Sequence, residues 1–82
     1  MILSVQLFAG AKEAMNGAES ISIEVDDQAV ASQVLKTISD QYPALASLAN
    51  RSRLAVNDSY VADEQTIAPD SNLALIPPVS GG

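Results

Sequence analysis

Only one stretch of this chain can form a long amphipathic helix, and the apolar segments around it are mostly spaced for strands. Val30, Val34, Leu35, Ile38 and Tyr42 fall on one stripe at helical spacing. Pro43 ends that stripe, because it cannot donate an amide hydrogen and disfavours helical geometry at Tyr42. Just upstream, Asp26-Asp27 supplies a candidate N-cap, since either carboxylate can accept from the orphan amides of a first helical turn. A helix with one apolar stripe must bury it against another layer, and the strands are there to supply it.

The first of these, Ile2 to Phe8, places Leu3, Val5 and Leu7 on one face and Ile2 and Phe8 on the other. Gly10 releases the chain into Ala11 to Met15, a helical turn ended by Asn16-Gly17. A second strand runs from Ser20 to Val25, with Ile21, Ile23 and Val25 alternating against Ser20, Ser22 and Glu24. Beyond Pro43, Ala44 to Ala49 can form a short second helix. Leu54-Ala55-Val56 reads as a third strand, Asn57-Asp58 as a turn and Tyr60-Val61-Ala62 as a short return strand. Pro69-Asp70-Ser71-Asn72 turns the chain into Leu73-Ala74-Leu75-Ile76, apolar on both faces, as expected of a strand flanked by neighbours and covered by a helix. Pro77 ends it by removing a ladder donor.

Two strands, a crossover helix and returning strands imply an α+β domain with one main helix packed across a mixed sheet. The ubiquitin-like β-grasp fits that order, although the order alone admits other small α+β folds. At 82 residues the chain has room for one domain, residues 1–76, and an extended C-terminal tail, 77–82.

Composition excludes several function classes. There is no cysteine and no histidine, hence no thiol nucleophile, no imidazole base and no zinc site of the common kinds; no metal site is expected. An autonomous enzyme is not expected either. Four basic against ten acidic residues give a formal charge of −6, too few cations to neutralise several phosphates or to favour an anionic membrane. The same sign favours a protein partner with a basic docking face. No apolar run reaches the ~18 residues of a membrane span, and no basic segment precedes an apolar one at the start, so the chain reads as mature and cytoplasmic.

The chemistry concentrates in the tail. Pro77-Pro78 favours an extended exit from the sheet, and Val79-Ser80-Gly81-Gly82 then shrinks toward the carboxyl end. At full extension the residues after Pro78 reach roughly 13–14 Å. Glycines can thread a narrow channel, so the tail suits delivery of a terminal group into another protein's active site. A free carboxylate is ionised at neutral pH and a poor electrophile, so Gly82 needs activation, for example as an acyl-adenylate made with ATP by another protein. The activated acyl group could then accept sulfur, as a thiocarboxylate, or an amine, as a conjugate. Without cysteine, any sulfur this chain carries must ride on Gly82.

The run Ile76-Pro77-Pro78-Val79-Ser80-Gly81-Gly82 resembles the C-terminal signature of the molybdopterin synthase small subunit, the MoaD family of ubiquitin-like sulfur carriers. Val5 to Glu13 is similar to that family's first strand and turn, and Val56-Asn57 also matches; Asp70-Ser71-Asn72 departs from its usual turn. The resemblance implies that Gly82 is the reactive terminus, adenylated by an ATP-dependent adenylyltransferase related to ubiquitin-activating enzymes and sulfurated by a sulfurtransferase system. The tail, Pro77 through Gly82, would enter the large synthase subunit and donate sulfur to cyclic pyranopterin monophosphate, forming the dithiolene of molybdopterin. The large subunit would supply acid, base and substrate-binding groups, within a heterotetramer. No permanently bound cofactor is implied. Phe8, Tyr60 and Ile76 match the positions where the family docks on its partner, and Phe8 and Ile76 lie opposite the core-facing leucines of their strands. Two other readings share the Gly-Gly end: a thiazole-synthesis carrier of the ThiS type and a ubiquitin-like protein modifier.

Overall fold

Period-two spacing becomes a strict alternation of exposed and buried residues in β1 (Ile2–Leu7) and β2 (Ser20–Glu24), which pair antiparallel with Leu3 opposite Ile23 and Val5 opposite Ile21. The computed structural model describes residues 1–78. Between these strands lies a short helix, α1 (Ala9–Ala14), which ends where Asn16 and Gly17 take positive φ angles of 59° and 87°. Glycine reaches the second angle without a Cβ penalty, which is why the turn falls there.

The long helix α2 spans Ala31–Gln41 and buries Ala31, Val34 and Ile38; Leu35 and Tyr42 pack at its margin. Pro43 opens a 3₁₀ turn (Pro43–Leu45) that runs into α3 (Ala46–Ala49). Then come β3 (Arg53–Val56), β4 (Ser59–Tyr60) and β5 (Leu73–Ile76). Asn57 and Asp58, at φ 51° and 72°, join β3 to β4; positive φ at both central residues is what a type I′ hairpin requires. The return strand is shorter than the sequence suggests and holds only Ser59 and Tyr60.

Among the described residues the sheet has five strands, in the order β2-β1-β5-β3-β4. β5 runs parallel to β1 and antiparallel to β3, so the last strand in sequence is the central one in space. Leu3, Val5, Leu7, Ile21, Ile23, Leu54, Leu73 and Leu75 project from one face onto α2. Leu45 and Ile67, from the connecting segments, complete the core. Fully burying each such side chain contributes about 1.5–3 kcal/mol, and these residues are the main hold on the fold. The architecture is the expected α+β mixed sheet with one main helix across it.

One expectation fails. Asp26 and Asp27 do not cap α2, which begins after Val30 in extended geometry. The Asp26 carbonyl accepts from Ala29 in a local turn, and both side chains are exposed. The first-turn amides find distant partners instead: Ala31 N–H donates to the Gln65 carbonyl at 2.9 Å and Ser32 N–H to the Asp63 carbonyl at 3.0 Å. The Val30 amide donates to Gln33 Oε1 at 2.9 Å, one half of a capping box that valine cannot complete. A neighbouring loop supplies carbonyls to the Ala31 and Ser32 amides, which removes the need for a carboxylate to serve those two.

Candidate functional site

The tail is rooted on the most constrained strand of the molecule. Leu73 and Leu75 are buried in the core, and β5 is held on both sides by ladders to β1 and β3. Asn57 fixes its entry: its backbone N–H donates to the Asn72 carbonyl at 2.9 Å, and its Oδ1 accepts from the Asn72 amide at 3.0 Å. β5 ends at Ile76; Pro77 is half-buried and Pro78 exposed. The direction in which the chain leaves the domain is therefore set by the middle of the sheet. Val79, Ser80, Gly81 and Gly82 lie outside the described residues.

On the side of the sheet away from α2, the alternating residues of these strands make a second surface. Gln6 of β1 stands beside Ala74 of β5, Ala74 beside Ala55 of β3, and Ala55 beside Tyr60 of β4. The two alanines are too small to fill that face. They form the floor of a shallow depression of about 320 Å³, rimmed by Phe8, Tyr60 and Ile76 together with Gln6, Asp58 and Asn72. The three residues singled out from sequence are thus brought together on one surface. Phe8 is 46% exposed and Tyr60 54% exposed; with Ile2 they are the large apolar side chains that the described residues leave exposed. Ala9, directly after Phe8, has a φ of 49°, a left-handed conformation that costs a residue with a Cβ about 1–2 kcal/mol. That turn releases β1 into α1 and leaves Phe8 at the rim.

Arg53 belongs to the same surface, and sequence reasoning passed over it. Its guanidinium carbon sits 4.1 Å from the centre of the Tyr60 ring, and its backbone is in register with Ile76. A cation over an exposed aromatic face is worth about 0.5–1 kcal/mol and holds the ring in one orientation. The signal that could have found Arg53 is the register of the β3–β4 hairpin, which sets Ala55 against Tyr60 and so places Arg53 diagonally across from the ring. Among the described residues there is no group of three or more His, Cys, Asp or Glu side chains that could hold a metal ion. No helix of the described residues is long and apolar enough to cross a membrane.

A rigid strand feeding a glycine-ended tail, with an apolar depression beside its root, can dock on a partner and present a chain end. Known proteins share this fold. A family model described as the ThiS family matches residues 5–82. A molybdopterin synthase sulfur carrier subunit from Dictyostelium discoideum is 38% identical over 81 residues, covering 95% of this chain and 93% of the relative. Among solved structures, SAMP1 from Haloferax volcanii superposes with a TM-score of 0.81 at 27% identity, covering both chains completely. A complex of subunits 1 and 2 of a molybdopterin-converting factor from Helicobacter pylori contains a chain with the same fold, at a TM-score of 0.68 and 23% identity, again over the whole of both chains.

Proposed function

The chain belongs to the ThiS family, with molybdopterin synthase sulfur carrier subunits among its relatives, and from that premise we propose that it carries sulfur on Gly82 for molybdopterin synthesis. The observation that carries this reading is the extent of the family match, which runs through residue 82 and so includes the tail. In the proposed cycle an adenylyltransferase joins the Gly82 carboxylate to the AMP moiety of ATP and releases pyrophosphate. A sulfurtransferase system then delivers sulfur to the acyl carbon, AMP leaves, and the terminus becomes a thiocarboxylate. ATP is consumed by the activating partner and is not a resident cofactor of this chain.

The loaded tail, Pro77 to Gly82, then enters the large synthase subunit, whose groups bind cyclic pyranopterin monophosphate and move protons. The thiocarboxylate sulfur forms a C–S bond to a substrate carbon as an oxygen leaving group departs from that carbon. Hydrolysis of the resulting thioester leaves the sulfur on the substrate as a thiol and returns the Gly82 carboxylate. One carrier holds one sulfur atom, so a dithiolene takes two deliveries, in keeping with a heterotetramer of paired small and large subunits. Docking uses the depression rimmed by Phe8, Tyr60 and Ile76, whose apolar area is the kind a protein partner covers. The Helicobacter complex of subunits 1 and 2 supports a large subunit as that partner. The acidic surface, at a net charge of −6, would steer the encounter toward a basic docking face.

The test is reconstitution with the large subunit, starting from chain that carries the thiocarboxylate. Full-length protein is expected to convert cyclic pyranopterin monophosphate to molybdopterin, and protein lacking Gly81-Gly82 to yield none while unfolding at the same temperature. Product formed by the truncated protein would contradict the reading. The likeness to SAMP1, a small archaeal modifier protein in the related structure's name, favours one second reading: conjugation of Gly82 to lysines of other proteins. Higher-mass conjugates in extracts that disappear on deletion of Gly82 would favour it.

A further inference from the structure

Among the described residues β2 is an edge strand, and its unpaired side is the longest open edge of the sheet. The ladder to β1 uses alternate residues: Val25 N–H donates to the Met1 carbonyl and Leu7 N–H to the Glu19 carbonyl, with Leu3 opposite Ile23 and Val5 opposite Ile21 between them. In an antiparallel pair this alternation turns the backbone N–H and C=O groups of Ser20, Ser22 and Glu24 outward. An edge with free donors and acceptors in that rhythm is a template for a second strand.

Two side chains from the end of α2 cover it. Tyr42 Oη donates to the Ser22 carbonyl at 2.7 Å. Gln41 acts on Glu24 twice: its Nε2 donates to the Glu24 carbonyl at 3.3 Å, and its Oε1 accepts from the Glu24 amide at 3.4 Å. The primary amide of Gln41 thus imitates the backbone of a neighbouring strand.

We infer that the β2 edge is a latent self-pairing surface whose occupant is a second copy of this chain, and that Gln41 and Tyr42 hold it closed. The segment Ser20-Ile21-Ser22-Ile23-Glu24 is self-complementary around Ser22. An antiparallel pair on a twofold axis there sets Ser22 against its counterpart and Ser20 against Glu24, with no like charges opposed. Every hydrogen-bonded pair in that arrangement needs a group already engaged: the Ser22 carbonyl by Tyr42, or both backbone groups of Glu24 by Gln41. The caps therefore block the whole register while leaving Ser20 and the Ser22 amide untouched. The other end of the sheet needs no such device, because β4 holds only Ser59 and Tyr60. The guard keeps a small carrier available to partners through its opposite features, the tail and the Phe8 face, and it is independent of what the tail carries.

The test is the oligomeric state of the full chain and its variants, by light scattering and sedimentation from micromolar to millimolar concentration. The Q41A/Y42F variant keeps the Tyr42 ring and its packing and loses only the caps. It should form a dimer that grows with concentration, with the Ser22 amide becoming protected from hydrogen exchange. Adding Ser22→Pro should return the protein to monomer, because the Ser22 N–H faces away from β1 and is needed only by the second copy. Q41A alone, which frees only Glu24, should give a weaker dimer and serves if the double variant unfolds. A folded Q41A/Y42F protein, or a folded Q41A protein, that stays monomeric throughout would overturn the inference. So would a dimer that survives Ser22→Pro.

Discussion

Phe8 shows how a single position acquires two constraints from a two-residue period. Leu3, Val5 and Leu7 take the core face of β1, which forces the next residue to the far side of the sheet, where it is 46% exposed. Replacing it with a charged residue should leave the monomer folded, since no core contact is lost. Phe8→Asp is expected to weaken binding to the large subunit about 30-fold or more, the loss typical of a central aromatic anchor, as read by titration calorimetry. A folded variant with unchanged affinity would remove Phe8 from the docking surface. Phe8 and Ile76 were legible in sequence because alternation assigns faces without any knowledge of pairing. Arg53 was not, since its place over the Tyr60 ring depends on the register of the β3–β4 hairpin, which the turn residues alone do not fix. Tyr42 was read correctly as part of the α2 stripe, yet only half of it is apolar: the ring packs on the core while the hydroxyl reaches β2.

At the scale of elements, local signals located β1, β2, β3, β5 and the long helix to within a residue or so, overran the return strand by two residues, and failed where distant segments compete. The start of α2 is the instructive case. Asp26-Asp27 is a good cap by composition, but the segment from Asp63 to Ile67 laces against residues 29–32 and supplies the carbonyls that the helix start needs. Val30 consequently occupies the N-cap with extended backbone angles, φ −94° and ψ 168°, and with no side-chain acceptor. Val30→Thr preserves the branched shape and adds an oxygen able to accept from the Gln33 amide, completing the box that Gln33 already half forms. A gain of about 0.5–1 kcal/mol in urea unfolding is expected, and a loss would show that the valine methyl matters more than the cap. The hairpin of Asn57 and Asp58 is the converse case. There the residue types that tolerate positive φ announced the turn directly, although the hydrogen bonds from Asn57 to Asn72 could not be foreseen.

Across the whole molecule, topology separates stability from delivery. The helix and the buried leucines occupy one side of the sheet, and the apolar depression occupies the other. The last strand, being central, anchors the tail in the most constrained part of the fold. Everything the chain does by this account then depends on the state of one carboxylate, at Gly82. The most direct measurement is the intact mass of the protein after incubation with ATP, a sulfur source and its cognate activating enzyme. A gain of about 16 Da is expected, the exchange of one terminal oxygen for sulfur, lost when Gly82 is deleted. An unchanged mass, with the same enzyme active on another carrier, would contradict it.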